Sequence, residues 1–230
     1  MDLTILEIDQ NHAVSCESLL RNDSLMGVVD QTVAVGPKEL ISLLKPGDVL
    51  LTRMMDSRAN TVRKKIFRAT MSAVQRSIYT SSKLVADVDT LMGYGISAAK
   101  PNFTKYSSKV YIPRLQKGML VRHKDMTPEL AAAIKQEAIR FVGLPYNLKE
   151  MLTSALRRFK ESLVKNPNTP NGVTEDPSTI DLAPLICSSV IGAIFARVGL
   201  PVAVNRSWKE MWPGDFVLGQ LFHSVAKIDR

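Results

Sequence analysis

Residues 184–200 read Pro-Leu-Ile-Cys-Ser-Ser-Val-Ile-Gly-Ala-Ile-Phe-Ala-Arg-Val-Gly-Leu, and no other stretch limits the fold as much. Val190, Ile191, Ile194, Phe195 and Val198 recur at the spacing of a helix with a wide buried face. Ala193 and Ala196 are small enough to let a sheet approach closely. Pro184 precedes the run and Gly199 follows Val198, the usual asymmetry of helix entry and exit. Cys187 therefore falls at or near the helix N-terminus. Unpaired N–H groups and the positive end of the helix dipole there favour thiolate over thiol. Two readings stay open: a reactive thiol, or a small apolar residue at the head of a core helix.

The chain has 230 residues, enough to bury a substantial core in one larger domain or two. With 45% hydrophobic and 23% charged residues it reads as globular rather than disordered. Cys16 and Cys187 are its two cysteines, so a disulfide framework is not expected. The first residues lack a basic region followed by an apolar run, and no window holds about 18 or more uncharged apolar residues. Neither a signal peptide nor a membrane span is expected, and the chain reads as cytoplasmic as made.

The net charge of +8 predicts attraction to polyanions such as anionic lipid or acidic cell-wall polymers. Only 6% of residues are aromatic, which argues against a stacking platform for single-stranded nucleic acid. Arg63, Lys64, Lys65, Arg68 and Arg76 lie in a stretch with Val62, Ile66, Met71 and Val74 as an apolar stripe. This predicts a basic amphipathic helix over about residues 59–77. It is either a solvated surface helix or a contact for a membrane or anionic partner.

Residues 1–36 read as short strands and turns forming an extension or docking arm, with the main domain over 37–230. Lys38 opens a short helix that ends before Pro46, and Pro46-Gly47-Asp48 is a turn into the buried strand Val49-Leu50-Leu51-Thr52. Strands are expected over 79–88 and 91–98, a polar loop over 101–109, and strands at 110–112 and 118–122 with Lys117-Gly118 turning between them. Thr127 caps a helix beginning at Pro128 and closed by Gly143. A further helix with an apolar stripe follows Leu144-Pro145-Tyr146-Asn147. Residues 166–181, with three prolines and three asparagines, read as a flap or binding loop. A short strand at 202–204, a turn at 212–216 and a closing element over 217–227 complete the chain.

Five segments taken together, LKPGDVLLTR, YTSSKLVA, LVRHKDMTPELAAAIKQEAIRFVGLPYN, ICSSVIGAIFARVGL and WPGDFVLGQLFHSV, resemble the circularly permuted, papain-like hydrolases of the NlpC superfamily, the YiiX-like group above all. The resemblance spans about residues 40–225. It implies an α+β papain-like core in which the nucleophile-bearing helix packs on an antiparallel sheet, and it matches Cys187 to the nucleophile. The implied chemistry is acyl transfer on an amide or ester, with cell-wall stem peptides or lipid acyl groups as substrates.

The chain departs from the family where the partner histidine should stand. Ser81, or with a slip of one residue Ser82, occupies that place, and Ser97 matches the third group. A serine hydroxyl does not titrate near neutral pH, so it cannot replace the base. His12, His123 and His223 are the three histidines. His123, at a strand end, is the stand-in base on offer; a surface or hydrogen-bonded structural role is the plain alternative for all three. No Cys or His pair has metal-ligand spacing, and no cofactor is implied. Three functions remain open: a thiol hydrolase acting on a cell-wall peptide or similar amide or ester, a catalytically degenerate scaffold serving in a larger homo- or hetero-assembly such as a phage virion, or, given the basic helix over about 59–77, a lipid-directed acyl hydrolase or transferase.

Overall fold

The structure, a computed structural model, describes residues 32–53, 79, 81–94, 102–146, 153, 186–202, 207–218 and 220–230. The expected basic helix over 59–77, the helix after Asn147, the loop over 166–181, the third-group match Ser97 and His12 lie outside these residues.

Six antiparallel strands form one sheet in the order β4-β3-β2-β1-β5-β6. In chain order they are β1 (Val49–Thr52), β2 (Ser81–Asp87), β3 (Thr90–Tyr94), β4 (Phe103–Ser107), β5 (Lys117–His123) and β6 (Phe222–Asp229). The helices are α1 (Pro37–Leu43), α2 (Ser108–Tyr111), α3 (Pro128–Arg140), α4 (Cys187–Arg197) and α5 (Asp215–Leu218), with 3-10 turns at Ile112–Arg114 and Trp208–Glu210. The fold class is α+β, as the sequence predicts.

The sheet is covered on both faces. Side chains alternate along each strand, so Val49 and Leu51 join Leu84, Ala86, Met92, Met119 and Val121 on the face packed by α3 and α4. Leu50, Val85, Leu91, Leu120, Ala226 and Ile228 line the other face, under Leu40, Leu44, Ile112 and Leu115. The central strand β1 is buried at all four positions, which is why Val49-Leu50-Leu51-Thr52 reads as a continuous apolar run rather than an alternating one.

The turn into β1 is held by charge. Asp48 accepts from Lys45 N–H at 2.8 Å and from the Arg122 fork at 2.7 and 2.8 Å, while Gly47 takes a φ of +88°. Gly47 N–H also donates to Val85 O, tying the turn to β2. Thr127 caps α3, its hydroxyl accepting from Leu130 N–H at 3.3 Å, and Gly143 sits beyond the helix end at φ +92°.

Three sequence expectations are corrected. The polar loop over 101–109 is largely the edge strand β4, paired with β3 from Thr90↔Ser107 to Tyr94↔Phe103. Its polar residues fit an edge, where one side of the strand faces solvent. The expected strand at 110–112 is instead the end of α2 running into a 3-10 turn, because Pro113 and the Ser108 start favour a tight turn over extension. Lys117-Gly118 is no turn: it begins β5, opposite Asp229 and Ile228. The closing element over 217–227 resolves into the end of α5 and then β6, whose outer edge takes residues 33–35 alongside it, Val35 N–H donating to Lys227 O. Residues 32–36 of the expected N-terminal arm thus run along the main sheet.

Candidate functional site

Cys187 is the first residue of α4, and the residue before it, Ile186, offers no side-chain cap to the helix. The positive end of the helix dipole lies beside the sulfur. The thiol is a free cysteine, 8% exposed, in the core cluster that α4 builds with the sheet.

The residues after it hold the helix in place. Ser188 Oγ donates to Met211 O and Ser189 Oγ donates to Lys209 O at 2.8 Å. A Cβ on Gly192 would meet the Trp208 carbonyl oxygen at 3.1 Å and Met211 Cγ at 3.3 Å. The Cys-Ser-Ser opening thus serves two ends: the sulfur sits on the sheet-facing cluster, while the two hydroxyls and the missing side chain of Gly192 seat residues 208–211 against the same helix.

Strand register decides which serine shares that face. Ser82 pairs with Leu51 and Ser81 with Thr52. Leu51 belongs to the α4 side, whereas Thr52 Oγ lies 3.5 Å from Tyr111 OH on the opposite side. Directly opposed residues in an antiparallel pair project to one face. Ser81, the sequence match to the family histidine, therefore lies on the face away from Cys187, and the residue on the α4 face is Ser82. Ser82 is completely buried, and its Oγ has no hydrogen-bond partner among the described residues.

His123 does not reach the thiol. Its Nδ1 accepts from Asp125 N–H at 3.1 Å, which leaves Nε2 to carry the proton and donate to Pro201 O at 2.9 Å. Its ring packs edge-on against Phe222 at 5.0 Å and beside Phe195 at 6.1 Å. Phe195 lies eight residues beyond Cys187, roughly 12 Å along the helix axis. Both ring nitrogens are engaged, Nδ1 in the local turn at Asp125 and Nε2 in tying β5 to the segment just beyond α4. His223 is exposed on β6, opposite Arg122. Neither histidine completes a cysteine–histidine pair.

A group that the sequence reading passed over lies next to Ser82. Lys83 is 2% exposed, and its Nζ donates to Tyr94 O at 2.8 Å. The stem crosses β3 where Gly93 has no side chain; a Cβ there would meet Lys83 Cδ at 2.4 Å. The ammonium stands over the Tyr106 ring at 5.2 Å and the Tyr111 ring at 5.9 Å. Among the described residues no carboxylate pairs with it. Burial pulls its pKa down to about 8. The available signal was a lysine inside an apolar strand with a glycine on the next strand.

Tyrosines complete the surroundings. Burial pushes the Tyr146 and Tyr111 phenols up, and the contact with Thr52 partly offsets this for Tyr111. Tyr146 belongs to the Gly-Leu-Pro-Tyr-Asn turn, which closes beside β4 through Asn102↔Pro145. Its ring meets Tyr94 at 4.9 Å, and Tyr94 OH donates to Pro145 O at 3.3 Å. No three His, Cys, Asp or Glu side chains cluster as a metal would need among the described residues. Among those residues, no helix is long and apolar enough to cross a membrane.

No family model matches the chain, and no curated protein matches it. Among solved structures, the crystal structure of a protein described as metalloprotein YiiX from Escherichia coli O157:H7 matches with a TM-score of 0.47 and 13% identity, covering 81% of this chain and 98% of that one. The chain thus has a YiiX-like structural neighbour, and at this level of likeness no residue role is carried across.

Proposed function

We propose that this chain is a papain-like domain that keeps the place of the nucleophile without a hydrolytic relay, and that it acts as a binding or structural component rather than a turnover enzyme. The observation that supports this reading is Ser82: a buried hydroxyl without a described partner on the α4 face, one residue from the place where the sequence match put the family histidine. Acyl transfer by a cysteine needs a group that moves protons near neutral pH, to release the leaving group and then to activate water. Serine cannot do this, and His123 has both ring nitrogens committed elsewhere. Loss of a general base typically costs a factor of about 10² to 10⁴ in rate. A component of a larger assembly, a phage virion for instance, is the setting this reading fits, and the net charge of +8 suits an anionic polymer or membrane surface as its contact.

The test is direct. Purified wild type and Cys187→Ala are incubated with peptidoglycan and with a p-nitrophenyl acyl ester. The expected result is the same negligible turnover for both. Repeated turnover by wild type that disappears in Cys187→Ala would overturn the reading. It would restore the second one, a thiol hydrolase of cell-wall peptides or similar amides and esters, which is favoured by the position of Cys187 as the first residue of α4.

A further inference from the structure

We propose that the groove between the turn into β1 and the first turns of α3 binds the C-terminal end of a partner protein. Lys45 and Arg122 hold the terminal carboxylate, and the aliphatic side chains before it lie on a floor of alanines. The inference is independent of whether Cys187 turns over a substrate, since no residue of α4 lines this groove.

The groove has a volume of about 500 Å³, a size that suits a few residues of peptide. One wall is a single face of α3, where Pro128, Ala131, Ala132 and Lys135 recur at intervals of three and four residues. Ala86, near the end of β2, and Met126 continue the floor. The alanines leave open a space that larger side chains at 131 and 132 would fill. Met126 is seated by Gly47, since a Cβ on that glycine would meet Met126 Sδ at 2.7 Å. Pro46, Thr127, Pro128 and Ala132 are exposed, so the rim is open to water.

Charge is placed unevenly along it. At one end Lys135 and Asp87 close on each other at 3.0 Å and leave no net charge. At the other, Arg122 is held to Asp48 through Nε and Nη2, and Nη2 also donates to Leu43 O. Its Nη1 has no hydrogen-bond partner among the described residues, so one edge of an already fixed guanidinium is free to donate. The exposed Lys45 gives its backbone N–H to the same Asp48, and its ammonium has no partner among the described residues. With Asp48 balanced by Arg122, this end keeps one positive charge, which a single carboxylate matches.

The open rim decides between a peptide and an acyl chain. A hydrocarbon chain laid here would leave methylenes against water and lose part of their burial. A peptide sets its apolar side chains on the floor while its amides stay hydrated along the open side. Thr127 is the uncharged polar side chain in the lining, and its hydroxyl is engaged by Leu130 N–H. Recognition therefore rests on a carboxylate next to apolar side chains, which is what a chain end presents.

The experiment is fluorescence anisotropy of the full chain with a fluorescein-labelled peptide, Gly-Ala-Val-Leu-Leu, ending in a free carboxylate or in an amide. Saturable binding of the acid is expected, with the amide at least tenfold weaker. Lys45→Gln and Ala132→Glu, both at exposed positions, should each weaken the acid at least fivefold, with circular dichroism confirming their folds. Nitrogen-15 NMR shifts on adding the acid should centre on Ala86 and residues 128–135. Absence of saturable binding, equal affinity for acid and amide, or unchanged affinity in the folded variants overturns the proposal. Decanoate that binds these same residues more tightly than the peptide acid would mark an acyl-chain site and overturn it as well. Should Ala132→Glu not fold, Lys45→Gln decides alone, because the one hydrogen bond of Lys45 to the turn comes from its backbone.

Discussion

Ser82 stands directly opposite Leu51, and this pairing puts its hydroxyl on the side of the sheet that α4 covers. One residue earlier, Ser81 faces the other way. The difference of a single position decides which side chain shares a face with Cys187, since a strand turns every side chain over at each step.

His123 is expected to matter for stability and not for the thiol. His123→Ala should lose the donor to Pro201 O, the acceptor for Asp125 N–H and two ring contacts, at a cost of about 2–4 kcal/mol. The alkylation profile of Cys187 should remain that of wild type. Chemical denaturation and the rate of Cys187 alkylation by iodoacetamide against pH check the two halves separately.

Lys83 gives the fold a pH dependence of defined sign. Its folded pKa of about 8 lies below the ordinary 10.5, so between these values the unfolded chain binds more protons than the folded one. Stability therefore rises as pH increases through that window, and the charge is a burden below it. The shift corresponds to about 3 kcal/mol over the whole window. Comparing urea denaturation of wild type and Lys83→Met from pH 7 to 10 should show that rise in wild type and its loss in the variant.

The half-buried Arg122 and the buried Asp48 form the pair that fixes the turn into β1. Arg122→Met should leave the completely buried Asp48 carboxylate with only a backbone donor. Breaking such a pair from one side costs about 3–5 kcal/mol, more than most surface ion pairs contribute. Thermal unfolding of the variant should show a large fall in Tm at neutral pH.

Gly192 is required by close approach rather than by backbone conformation. Gly192→Ala would press a methyl group onto the Trp208 carbonyl and Met211, and the helix or the 208–211 segment must shift. A loss of about 1–3 kcal/mol is expected. Ser188→Ala, which removes the donor to Met211 O, should cost about 1–2 kcal/mol at the same interface. The double variant should lose less than the sum, because both act on one contact.

Much of the fold could be read from local pattern because its strongest elements carry redundant signals. α3 has its threonine cap, its proline start and its closing glycine, and all three appear as expected. The apolar run of β1 announced a strand buried on both faces. β4 could not be read this way: Thr104-Lys105-Tyr106-Ser107 is polar because it lies at an edge, and edges resemble loops in composition. Of the candidate site, local pattern placed Cys187 at the head of its helix, where the structure has it. Lys83 was hidden because its inward path depends on Gly93, a residue on another strand. The true facing of Ser82 depends on register, and register is a property of pairs of strands.

The account turns on Ser82 lying on the face of the sheet that α4 covers, in place of a proton carrier for Cys187, and Ser82→His tests this most directly. With the fold retained, an imidazole at this position should raise the rate of Cys187 alkylation at pH 6 to 7 at least tenfold over wild type and move the midpoint of its pH profile downward. A folded Ser82→His protein whose Cys187 reacts at the wild-type rate across that range would contradict it.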